Sequence, residues 1–99
     1  MLAISVADER DNPRDPIERE LAGERAATLG RAGKRLEEAL AALAVVTASS
    51  REDAIDEAAT AAWYYLITRE SMRMFDHKEA LAIYGVPDFV LARVGVVRR

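Results

Sequence analysis

Ala61-Ala62-Trp63-Tyr64-Tyr65-Leu66-Ile67 is apolar on every face of the helix that the surrounding sequence predicts. Such a helix needs neighbours on several sides, because a single partner would leave part of the run in water. Upstream of it, Ser49-Ser50-Arg51-Glu52-Asp53 supplies a serine cap and an acidic first turn, which suits the helix dipole and predicts a helix over 50–76. Further upstream, Asp15-Pro16-Ile17-Glu18 combines an Asx cap, a proline at the first helical position and a glutamate two residues beyond it. This start predicts a helix over 15–48. Along that helix Ala22, Leu29, Leu36 and Leu43 recur every seventh residue, with Ala32, Ala39 and Leu40 beside them, while Arg31, Lys34, Glu37 and Glu38 form the opposite face.

Only Thr47 to Ser50 separates the two predicted helices, and short connections make antiparallel neighbours. The register of such a hairpin sets Leu43 near Ala54, Leu36 near Ala61 and Ala62, Gly33 near Tyr64 and Gly30 opposite Ile67. Gly23, Gly30 and Gly33 inside a helix each cost about 1 kcal/mol relative to alanine. Dents that receive the aromatic block would explain them; a break of the helix near Gly30 is the competing reading.

A chain of 99 residues is one small domain with a thin core. The hydrophobic share of 51% overstates that core, since much of it is alanine and only 6% of the residues are aromatic. Two helices of some 30 residues span about 45 Å each, so they make a rod rather than a globule. The expected fold is therefore all-α: a long antiparallel helical hairpin plus two short C-terminal helices. Pairing of two hairpins into a four-helix-bundle-like homodimer would cover the exposed apolar surface. Leu29, Leu36, Leu43, Trp63, Tyr64, Tyr65 and Leu66 are the expected core or interface residues.

The C-terminal segment predicts helices over 78–84 and 87–94, joined by Tyr84-Gly85-Val86-Pro87 and stopped by Gly95. Leu81, Ile83, Val86, Phe89, Val90, Leu91 and Val94 offer more apolar surface than two short helices bury on each other, so this cap is expected on the hairpin. The spacing also invites comparison with a helix-turn-helix, but only Asp88 and Arg93 of the second helix would reach base edges. The net charge of −3 argues against a nucleic-acid partner as well. Residues 1–14 read as a flexible N-terminal arm, with Leu2, Ile4 and Val6 ahead of a charged, proline-interrupted linker. No apolar run has the length to span a membrane, and the lack of cysteine fits a cytoplasmic address without thiolate chemistry.

Motifs that carry chemistry are mostly missing. A di-metal bundle site needs Glu-x-x-His pairs, yet the single histidine, His77, has Met74 three residues before it. Gly33-Lys34 lacks the upstream glycine, the following Ser or Thr and the preceding strand of a phosphate-binding loop. No metal, cofactor or catalytic residue is expected. One polar cluster stands out: Arg69, Glu70, Arg73, Asp76 and His77. On a helical wheel Arg69 and Arg73 share the stripe of Ile55, Ala62 and Leu66, where charges need partners. The register offers Glu24 to Arg73, Arg25 to Glu70 or Met72, and Glu20 to His77, with Asp76 capping the next helix. The structural reading is an ion-pair network that fixes register. The functional reading is a pocket in which the arginines bind a carboxylate or phosphate and His77 exchanges protons, or a docking point for another protein.

Trp63, Arg69-Glu70, Asp76-His77, Tyr84-Gly85-Val86-Pro87 and Leu91-Ala92-Arg93-Val94-Gly95 together resemble a small bacterial family known only as a domain of unknown function. The resemblance covers about residues 15 to 95 and implies a bacterial cytoplasmic setting, with no activity, cofactor or catalytic residue. Taken together, the residues point to a non-enzymatic dimerisation, protein-interaction or regulatory module.

Overall fold

A computed structural model describes residues 15–97 of the chain. The N-terminal arm expected over 1–14 lies outside the described residues. Helix α1 (Pro16–Ala44), a 3-10 turn (Ala48–Ser50), α2 (Arg51–Ser71), α3 (Lys78–Tyr84) and α4 (Asp88–Val97) follow in order, with no strand among the described residues. The protein is all-α, a long helical hairpin carrying two short C-terminal helices.

Local chemistry explains most of the boundaries. The Asp15 carboxylate accepts the Ile17 N–H at 2.9 Å, which caps α1. α1 then runs unbroken through Gly30 but ends before the expected residue 48, because Val45-Val46-Thr47 is a β-branched run poorly suited to helix. Ser50 makes no side-chain cap bond to α2; the 3-10 turn feeds the chain directly into the helix instead. α2 stops at Ser71 rather than 76. There the Arg73 N–H bonds the Glu70 carbonyl and the Met74 N–H bonds the Arg69 carbonyl, while Arg73 takes a left-handed φ of 64°. This is a Schellman end built without glycine. Gly85, with φ 67°, closes α3 in the left-handed conformation more cheaply. α4 passes through Gly95, which was expected to stop it, and continues to Val97.

The core lies along the hairpin. Ala32, Leu36, Ala39 and Leu43 of α1 are buried against Ile55, Ala58, Ala59, Ala61, Ala62, Tyr65 and Leu66 of α2. α4 adds Val90 and Val94, and α3 adds Ala80. Leu29 and Trp63 are half-buried against this cluster, whereas Tyr64 is 38% exposed. The aromatic block therefore has one open face. Ion pairs hold the outer edges: Arg35 Nη2 lies 3.1 Å from Glu57 Oε2 between α1 and α2, and Arg93 of α4 binds both Glu52 and Asp56 of α2. The Arg51 guanidinium sits 5.1 Å above the Phe89 ring.

Of the three glycines in α1, only Gly33 makes a dent. A Cβ there would collide with the Tyr84 hydroxyl and lie 3.5 Å from the Tyr65 ring, whereas Gly23 and Gly30 face open space. Gly33 thus receives Tyr65 and Tyr84, not Tyr64, and Gly30 holds no place for Ile67.

The molecule is a rod of 66 × 22 × 19 Å, with a radius of gyration of 18.3 Å against about 13 Å for a compact domain of this length. Its open end is uneven. A cavity lined by Leu21, Glu24, Arg25 and Thr28 of α1 and by Thr68, Ser71 and Met72 marks where α2 gives out, and the first turn of α1 extends past it toward Pro16.

Candidate functional site

α2 ends one turn after Leu66, and the connection to α3 folds straight back on it. Arg69, on the last turn of α2, makes this fold-back possible. Its Nε–H donates to His77 Nδ1 at 3.1 Å and its Nη2–H donates to the Asp76 carbonyl at 2.7 Å. Because Arg69 has only donors to offer, His77 Nδ1 must be the acceptor, so the ring proton sits on Nε2. That proton is donated to Glu70 Oε2 at 2.9 Å. The N-cap of α3 is His77 rather than the expected Asp76, whose carboxylate, one residue earlier, accepts the Lys78 N–H at 3.2 Å. Both nitrogens of His77 are engaged, one by a cation and one by a carboxylate.

Four members of the expected cluster, Arg69, Glu70, Asp76 and His77, therefore come together. Arg73 does not join them: it is exposed at the left-handed residue that ends α2. The sequence register had assumed that α2 continues through 76, which would have kept Arg73 on the core-facing stripe. His77 likewise pairs with Glu70 and Arg69 instead of Glu20, because the chain has already turned back before it.

The same fold-back opens a cleft of about 360 Å³ between α2 and α3, lined by Tyr65, Arg69, Asp76, Glu79, Ala80, Ile83 and Tyr84. Arg69 lies 6.0 Å from the centre of the Tyr65 ring, and Tyr65 and Tyr84 meet edge to face at 5.2 Å. Burial pushes the Tyr84 phenol above its ordinary pKa, helped by the neighbouring Tyr65 phenol and by the charge of Glu37. Glu79, Ile83 and Tyr84 were not among the expected site residues. They enter because Tyr84 docks in the Gly33 notch, and a lone glycine in a helix gives only a weak signal for that.

The surface of α4 suggested as a recognition helix is committed elsewhere. Val90 and Val94 are buried, and Arg93 is held by Glu52 and Asp56, whose hydrogen bonds raise its pKa. No group of three or more His, Asp or Glu side chains able to hold a metal ion occurs among the described residues, and no described helix is long and apolar enough to cross a membrane.

No curated protein and no solved structure matches the chain. A family model described as "Family of unknown function (DUF6665)" matches residues 5–99, a span that includes the hairpin, the fold-back and both short helices. The chain belongs to DUF6665, a family of unknown function, as the resemblance at Trp63, Arg69-Glu70 and Asp76-His77 implied.

Proposed function

We propose that this chain is a non-enzymatic, self-associating helical module, and that it docks on a second copy of itself through the open end of the hairpin. One observation carries the reading: the buried stripe of α1 continues past the point where α2 stops. Ile17, Leu21, Thr28, Ala32, Leu36, Ala39 and Leu43 share one face at helical spacing. The last four are buried, but Ile17 is 62% and Leu21 47% exposed, because among the described residues α2 ends at Ser71, near Leu21 and short of Ile17. Met74 and the 66%-exposed Phe75 sit in the connection at the same end. An apolar cluster of this kind in a soluble helix marks an interface, and a twofold pairing of the two projecting helices closes it with one self-complementary patch. Val45, Tyr64, Ile83 and Phe89 are exposed elsewhere on the rod, and a side-by-side bundle that covers them is the alternative arrangement. The His77 ring nitrogens are bonded within the fold-back by Arg69 and Glu70, which supports a structural role for this histidine in the same reading. A cytoplasmic setting is part of the same reading and rests on the cysteine-free composition.

Light scattering on the purified chain at micromolar concentration should give twice the 10.9 kDa chain mass. Ile17→Asp combined with Leu21→Asp should return the monomer while circular dichroism stays helical, since neither residue is buried. A clean monomer of the wild type, or a dimer that survives both substitutions, would overturn the reading.

A further inference from the structure

The cleft between α2 and α3 holds charges of both signs that are not spent on each other. Arg69 has five N–H donors, and its two hydrogen bonds go to neutral acceptors, the His77 imidazole and the Asp76 carbonyl. No ion pair joins Arg69 to Asp76 or Glu79 among the described residues, although all three line the same cavity. The guanidinium is half-buried and held in place by His77 and by the Tyr65 ring, so its remaining donors are pre-aimed rather than free to search. Asp76 spends one oxygen on the Lys78 N–H and keeps the other, and the Glu79 carboxylate is exposed on the first turn of α3. The rest of the lining is apolar or aromatic: Ala80, Ile83 and the two tyrosine rings.

A simple anion would meet two carboxylates there, and a simple cation would meet Arg69. A molecule with a carboxylate and an ammonium a few bonds apart satisfies both. The cleft volume of about 360 Å³ lies near the lower end of the range of small-molecule pockets, about 300–1,000 Å³, which suits a ligand the size of a single amino acid. We propose that this cleft binds a free α-amino acid with an apolar side chain: Arg69 takes the carboxylate, Asp76 and Glu79 take the ammonium, and Ala80 and Ile83 cover the side chain. His77 is a positioning residue that holds Arg69 from behind. The site is separate from the open-end surface of Ile17 and Leu21, so either proposal can fail alone.

Titration calorimetry on the full chain tests this with L-phenylalanine and L-leucine, and with two analogues that each lack one charge, phenethylamine and 3-phenylpropionate. At least one amino acid should bind with Kd of about 1 mM or tighter, and both analogues at least about tenfold more weakly. Glu79→Gln and Ile83→Arg lie at exposed positions that the fold tolerates, and each should weaken binding by about tenfold or more. Arg69→Gln should abolish it, and the Ile83→Arg result guards against a loss caused only by a loosened connection. No heat with either amino acid at about 10 mM would overturn the proposal. So would an analogue binding as tightly as its parent, or binding that survives both Glu79→Gln and Ile83→Arg.

Discussion

At the scale of single residues, Gly33 and Tyr84 form the contact on which the C-terminal fold-back turns. Adding a Cβ at Gly33 meets the far end of the Tyr84 side chain, which can swing into the cleft, so the backbone itself need not move. Gly33→Ala then gains about 1 kcal/mol of helix propensity and forfeits the Tyr65–Tyr84 edge contact, about 0.5–1.5 kcal/mol. The two nearly cancel, and urea denaturation should find a change within about 1 kcal/mol. In a Tyr84→Ala background there is no ring to displace, so the same substitution should stabilise by the full propensity gain, about 1 kcal/mol. A double-mutant cycle without coupling would refute the contact. Tyr84 also makes stability depend on alkaline pH. Its folded pKa is raised, so the native state holds the phenol proton more tightly than the unfolded chain does. The stabilisation is complete below the ordinary value of about 10 and is lost as pH rises through it toward the folded value. Tyr84→Phe should flatten that loss in thermal melts taken across the alkaline range.

At the scale of elements, helix ends decide what the hairpin can present. Arg73 adopts a conformation that costs a non-glycine residue about 1–2 kcal/mol, part of which glycine would return as unfolded-state entropy. Arg73→Gly should therefore stabilise the protein by about 0.5–1 kcal/mol in urea denaturation, whereas a destabilised variant would mean that the Arg73 side chain holds the turn. The same residue shows where sequence reading reaches its limit. The start of α1 was legible because Asp15-Pro16 is chemically explicit, and the hairpin was legible because Leu36 and Leu43 sit on a regular stripe above a short connection. The end of α2 was not, because Schellman ends are usually marked by glycine and this one uses arginine. That misplaced end carried Arg73 and His77 to wrong partners in the expected register. Arg69, Glu70, Asp76 and His77 could be picked out as a group from their spacing alone. Their pairing with α3, and the cleft behind it, depended on a tertiary fold-back that periodicity does not encode.

At the scale of the whole molecule, the uneven hairpin would set the geometry of the proposed assembly. A side-by-side bundle of two rods keeps the longest dimension near the 66 Å of one chain. Pairing through the open ends instead would overlap only the N-terminal turns of α1 in each copy and yield a particle much longer than the 66 Å of one chain. Small-angle scattering distinguishes these sharply, because elongation raises the radius of gyration well above the 18.3 Å of the single chain. The alanine-rich core makes the outcome matter for stability as well as shape. Ala32, Ala39, Ala58, Ala59, Ala61 and Ala62 bury little area each, so the isolated rod gains modestly from the hydrophobic effect. The proposed association would add burial at Ile17, Leu21 and Phe75, and it would link stability to concentration by mass action. The thermal midpoint should therefore rise with protein concentration in the wild type and be independent of it in the Ile17→Asp, Leu21→Asp chain. A midpoint independent of concentration in the wild type, with a maximum dimension near 66 Å, would show that the projecting end of α1 is left in water.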